Sequence, residues 1–124
     1  MKKKIAILGS TGSIGKTTFN IIKKNKKEFQ VVLLTTNKNI NEIFKQAQIL
    51  KAKNILISSK PHYLKAKNKF KKNNLKIFND LNDIKKICKK KIDYTMCAIS
   101  GLEGLIPTLD VIECTKNIAI ANKE

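Results

Sequence analysis

Short, uninterrupted apolar runs alternate with helically spaced apolar positions along the whole chain. The runs at 4–8, 29–36, 54–58, 75–78, 94–99 and 117–121 predict β-strands. Between them, Ile14, Thr18, Ile21 and Ile22 recur at helical spacing, and Ile40, Ile43, Phe44, Ala47 and Leu50 form an apolar stripe on a second helix. Pro61 opens a Lys-rich third helix, where proline is tolerated in the first turn. A fourth helix carries Leu81, Ile84, Ile87 and Cys88, and a fifth carries Leu102, Leu105, Ile106, Leu109 and Ile112, with Pro107 near its start. Strands that are apolar throughout, rather than alternating, are buried on both faces, as parallel strands covered by helices must be. Short strand–helix connections then imply right-handed crossovers and an α/β, doubly wound, mostly parallel sheet with helices on both faces. No internal repeat or linker interrupts it, and the polar stretch at 68–74 reads as a solvated helix end.

Composition changes this picture little. The 124 residues fit one domain, and with 42% hydrophobic residues they can bury a core built on Ile, Leu and Val, since Trp is absent. The net charge of +17 suggests a polyanionic partner, but all 26 basic residues are Lys. Phosphate readers favour the planar fork of Arg. Lys, Asn and Ile share A+T-rich codons, so genome bias accounts for the excess, and no nucleic-acid partner is expected. Cys88, Cys97 and Cys114 show no CxxC or Cys/His spacing, which argues for reduced thiols rather than a disulfide frame or zinc site. The lone His62 reads as a surface residue without an obvious partner. The basic start Met1-Lys2-Lys3-Lys4 is followed by an apolar run too short for a signal peptide, and no stretch approaches a membrane span. A soluble, cytoplasmic protein with no membrane partner is expected.

The chemistry concentrates at Gly9-Ser10-Thr11-Gly12-Ser13-Ile14-Gly15, between the first strand and the first helix. At a dinucleotide site the first glycine turns the chain off the strand, the second lets backbone approach a pyrophosphate, and the third lets helix pack on sheet. The helix N-terminus adds unpaired N–H groups and the positive end of its dipole. This context predicts a Rossmann-type fold, although the spacing is GxxGxxG rather than GxGxxG. A rival is a P-loop ATP-binding module using Gly15, Lys16 and Thr17. It requires a glycine where Ser10 stands, and no later strand ends in the Asp that would hold magnesium; Asp80 reads as a helix cap. The second strand ends Thr35-Thr36-Asn37-Lys38-Asn39, with a cation and no carboxylate, which favours NADP over NAD.

Four motifs occur in order: ILGSTGSIG at 7–15, Asn37-Lys38-Asn39, SGLEGLIPTL at 100–109 and ANKE at 121–124. Together they resemble the N-terminal NADPH-binding domain of the 1-deoxy-D-xylulose 5-phosphate reductoisomerase family, over the whole of residues 1–124. The resemblance implies an NADPH-dependent oxidoreductase of non-mevalonate isoprenoid biosynthesis. Such enzymes convert 1-deoxy-D-xylulose 5-phosphate to 2-C-methyl-D-erythritol 4-phosphate by rearrangement and reduction, with Mg, Mn or Co. By matching position, Thr11, Gly12, Ser13 and Ile14 would bind the pyrophosphate region, and Asn37, Lys38 and Asn39 would border the 2′-phosphate. Asn122 and Glu124 would contact the cofactor and Lys123 the sugar-phosphate substrate. The family commonly has glycine where Asn37 stands; Asn tolerates left-handed backbone angles better than most residues. The acidic metal ligands, the lid and the C-terminal domain of the family have no counterpart here, so no metal site is expected in these residues. The expectation is a truncated chain, inactive alone, from a full-length enzyme that is a homodimer.

Overall fold

The computed structural model describes residues 2–70, 75–87, 92–99 and 115–120. Its elements are β1 (Lys3–Leu8), α1 (Ser13–Lys24), β2 (Phe29–Thr36), α2 (Ile40–Leu50), β3 (Asn54–Ile57), α3 (Lys60–Lys69), β4 (Lys76–Phe78), α4 (Asp83–Ile87), β5 (Ile92–Cys97) and β6 (Thr115–Ile120). A short 3₁₀ turn, Lys26–Glu28, leads into β2. The six strands form one sheet in the order β4-β3-β2-β1-β5-β6, and every pairing is parallel. The chain therefore winds outward from β1 to β4, then crosses back to β5 on the other side of β1. That reversal makes the gap between the C-terminal ends of β1 and β5 the switch point, where open α/β sheets bind ligands.

Two apolar clusters cover the two faces of the sheet. One joins Ile5, Ile7, Val31, Leu34, Ile55 and Ile57 to Phe19 and Ile22 of α1, the stripe of α2, and Ala66 and Phe70 around α3. The other joins Ala6, Leu8, Leu33, Leu56, Ile92 and Cys97 to Ile84 of α4. Alternation along β2 is broken once. Ile5 pairs with Val31 but Ala6 pairs with Leu33, so Val32 is an extra, bulged residue. The bulge puts Leu33 and Leu34 on the proper faces, and the Asn54 side-chain amide donates to the Val32 carbonyl at 2.9 Å.

The expected strands and the first four helices are present with ends adjusted. β5 begins at Ile92, earlier than its apolar run suggests, because Asp93 fits the strand: its Oδ2 accepts from the Lys4 N–H at 2.8 Å. β6 likewise begins at Thr115, through exposed polar residues of a strand bonded on one side among the described residues. α3 starts at Lys60, with Ser59 as N-cap. Leu81 precedes α4 in a turn, whereas Cys88 and the helix expected over 102–112 lie outside the described residues. Among the described residues, no helix is long and apolar enough to cross a membrane.

Candidate functional site

The three glycines of the turn have different reasons to be glycine. Gly9 adopts φ +79°, and a Cβ there would lie 2.9 Å from the Ala98 carbonyl oxygen, just past β5. The turn therefore leaves β1 directly against the switch point. Gly15 lies inside the first turn of α1, where a Cβ would meet Gly9 O and come within 2.6 Å of Ser10 Cα. Only a residue without a side chain lets the helix sit so close. Gly12 is exposed, and a Cβ there would meet nothing nearer than Gly9 O at 3.7 Å. Among the described residues nothing fills the space above it, as a cradle for a bound group requires.

Gly12 is also the N-cap of α1 and supplies no side-chain acceptor. The N–H groups of Ser13, Ile14 and Gly15, the first turn, have no intrahelical partner. No acidic residue stands in that turn. This leaves the positive end of the helix dipole uncompensated and open at the sheet's C-terminal edge.

The turn is held from beneath by residues that sequence reading did not single out. The Gly9 N–H donates to Thr35 Oγ1 at 2.8 Å, the Ser10 N–H donates to Thr35 O at 2.9 Å, and the hydroxyls of Thr11 and Thr36 share a 2.6 Å hydrogen bond. Gln46 of α2 is fully buried, and its Nε2 donates to the Ser10 carbonyl at 3.0 Å and to Glu42 Oε2 at 3.3 Å. Thr35 and Thr36 close a strand, and Gln46 sits among the apolar residues of its helix. A polar residue inside an apolar stripe was the available signal.

Asn37, Lys38 and Asn39 lie together, exposed, between β2 and α2, beside the same edge. Asn39 Oδ1 accepts from the Glu42 N–H at 3.3 Å, so this side chain caps α2 rather than standing free for a ligand. Asn37 Oδ1 accepts from Ser58 Oγ at 2.9 Å, tying the segment to the end of β3. Asn37 needs no left-handed angle: among the described residues other than glycine, only Lys51 has positive φ. Lys38 is the exposed cation of the group. His62, expected to be a partnerless surface residue, is half-buried, and its Nδ1 shares a 2.7 Å hydrogen bond with Ser59 Oγ. The reason is local: a side chain in the first turn of α3 reaches back to the N-cap three residues earlier.

The geometry disfavours the P-loop alternative. Lys16 is exposed on α1, and the Thr17 hydroxyl donates back to the Ser13 carbonyl at 3.1 Å instead of facing the turn. Asp80, expected as a helix cap, instead closes the turn before α4: its Oδ1 accepts from the Asn82 N–H at 2.9 Å, one residue short of the helix. Asn122, Lys123, Glu124 and the motif at 100–109 lie outside the described residues, as do Cys88 and Cys114. Cys97 is buried in β5. No three His, Cys, Asp or Glu side chains come together as metal donors among the described residues.

The model of the family 1-deoxy-D-xylulose 5-phosphate reductoisomerase matches residues 5–124. A reductoisomerase of that name from Pelagibacter ubique is 48% identical over 124 residues, covering 98% of this chain and 32% of the relative. Another from Wolbachia pipientis subsp. Culex pipiens is 40% identical, again over 98% of this chain and 32% of the relative. The chain thus spans about a third of the length of the curated relatives it matches. Among solved structures, the Zymomonas mobilis enzyme in complex with NADPH superposes with a TM-score of 0.90 at 30% identity, covering 98% of this chain and 32% of that one. A DOX-P reductoisomerase in complex with NADPH, fosmidomycin and magnesium superposes with a TM-score of 0.86 at 27% identity, covering 97% and 30%. Sequence, fold and the glycine turn agree, and the chain belongs to the 1-deoxy-D-xylulose 5-phosphate reductoisomerase family.

Proposed function

We propose that residues 1–124 are the NADPH-binding domain of a 1-deoxy-D-xylulose 5-phosphate reductoisomerase. The observation that carries this is the uncapped first turn of α1, open above Gly12 at the switch point of a parallel sheet. Thr11, Ser13 and Ile14 receive the pyrophosphate through backbone N–H groups, and Gly12, whose own N–H donates to Gly9 O at 3.3 Å, leaves room for it. Lys38 receives the 2′-phosphate, Asn37 shapes the segment through Ser58, and Asn39 contributes by capping α2. NADPH, when bound, supplies the hydride. The chain's own residues bind it, orient it and direct its phosphates toward α1 and the end of β2.

In the whole enzyme, the substrate is 1-deoxy-D-xylulose 5-phosphate, contacted by Lys123, with Asn122 and Glu124 reaching the cofactor. This extension rests on the relatives' names and on the ANKE motif, which follows β6 directly in sequence. The whole enzyme takes a divalent cation as well, a reading supported by the solved relatives in complex with magnesium.

Titrating the chain with NADPH and with NADH, followed by nicotinamide fluorescence, tests the proposal. Tighter binding of NADPH is expected. Equal affinities, or tighter NADH, would remove the 2′-phosphate role of Lys38; binding of neither would remove the dinucleotide reading.

A further inference from the structure

The Ser10 peptide unit is clamped on both sides. Its N–H donates to Thr35 O of β2, and its carbonyl accepts from Gln46 of α2, which is distant in sequence. Ser10 and Gln46 are both fully buried. The orientation of the Gln46 amide follows from its surroundings. Reversed, it would set oxygen against the Ser10 carbonyl and the Glu42 carboxylate, leaving no donor between three acceptors. Among the described residues Gln46 Oε1 has no partner, so the amide is buried at a cost and is retained in this orientation by what its nitrogen does.

A peptide bond is planar and, with no cis bond among the described residues, trans. The carbonyl of Ser10 and the N–H of Thr11 belong to one plane and point in opposite directions. Gln46 draws the carbonyl inward, so the Thr11 N–H points away from α2. Among the described residues this N–H donates to no acceptor. Rotating the plane would bury the N–H and turn a carbonyl oxygen to the side where an anion has to bind.

We infer that Gln46 is a positioning residue: it holds the Ser10–Thr11 peptide plane so that an N–H, rather than a carbonyl, faces the bound phosphates. This rests on the dinucleotide reading of the turn. Gln46 touches no ligand itself and acts through the Ser10 carbonyl. Its effect falls on the pyrophosphate, which NADPH and NADH share, and not on the 2′-phosphate at Lys38.

The test compares the parent chain with Gln46→Met, which keeps length but cannot donate, by NADPH and NADH titration and by the Thr11 amide resonance and its hydrogen exchange. Loss of a buried hydrogen bond predicts affinity for both nucleotides reduced about tenfold, a factor equal to roughly 1.4 kcal/mol, with their ratio unchanged and the Thr11 amide shifted. An unchanged Thr11 amide overturns the inference. A fallen NADPH/NADH ratio also overturns it, because Gln46 would then act by holding the N-terminus of α2 beside Lys38. If the parent binds neither nucleotide, the dinucleotide reading fails on its own account, and the Thr11 amide still decides whether Gln46 sets the plane. Should Gln46→Met fail to fold, Gln46→Glu preserves the shape. Ionised at high pH, it sets a carboxylate against the Ser10 carbonyl, for which the same shift and loss are expected; protonated at lower pH, it donates as Gln46 does, and the parent's Thr11 amide signal should return.

Discussion

Substituting Gly15 by Ala puts a helix-stabilising change in conflict with a packing constraint, and the structure decides which wins. In an exposed helix interior the change would gain about 1 kcal/mol of propensity. At this position the new methyl would lie 2.6 Å from Ser10 Cα and 2.7 Å from Ser10 C, besides meeting Gly9 O. Unstrained carbon–carbon contacts lie near ~3.5–4.0 Å, so α1 has to withdraw by roughly 1 Å. The obstructing atoms are backbone, and the turn they belong to is held by Thr35, Thr36 and Gln46, so they cannot swing aside as a side-chain end would. Overpacking of about 3 kcal/mol, the upper part of the usual range, sets against the propensity gain a net destabilisation of roughly 2 kcal/mol. At this size that corresponds to a fall in Tm of about 8 °C. Urea denaturation followed by far-UV circular dichroism measures it, with Gly12→Ala as the control. A Cβ at Gly12 meets only Gly9 O at 3.7 Å, so its stability should fall by no more than about 1 kcal/mol, from the poorer N-cap, while NADPH binding weakens. A Gly15→Ala chain as stable as its parent would refute the close-packing argument.

Four further outcomes follow from named contacts. Lys38→Ala should lower NADPH affinity about fivefold, on the order of 1 kcal/mol for one exposed ion pair, and leave NADH affinity unaltered; parallel fluorescence titrations check this. Asn39→Asp should keep the cap of α2 and its thermal stability, yet narrow the preference for NADPH over NADH by placing a negative charge beside Lys38. Lys16→Ala should change stability by less than about 0.5 kcal/mol and NADPH affinity little, because the side chain is exposed away from the turn. For Asp93, the Lys4 N–H foremost, helped by Lys116, holds the carboxyl below its ordinary value against the opposing effect of desolvation. A lowered folded pKa means its contribution is present above the unfolded pKa and lost as pH falls through the folded one. The gap in urea midpoint between the parent and Asp93→Asn should therefore be open at neutral pH and close in strong acid.

Much of the architecture could be read from the chain because its causes are local. Each apolar run is a strand since strands buried on both faces need no alternation, and each stripe is a helix since one face meets the sheet. The glycine turn was legible for the same reason: the positive φ at Gly9 and the close approach at Gly15 demand glycine at this strand-to-helix turn. Lys38 could be placed beside the site because it follows directly on a strand end. What the sequence alone left open depends on residues far apart in the chain. The partners that fix the turn, Thr35, Thr36 and Gln46, come from the neighbouring strand and from the helix beyond it; the polar Gln46 within an apolar stripe marks itself as buried, but not which group it meets. The bulge at Val32 exists only as a register against β1, and its carbonyl finds a donor in Asn54 from a third strand. Asn39, expected beside the 2′-phosphate, is found to cap α2 only because the fold brings the Glu42 N–H to it. Periodicity records which face of an element is buried; which polar group meets which across that buried face is settled only when the sheet order brings the elements together.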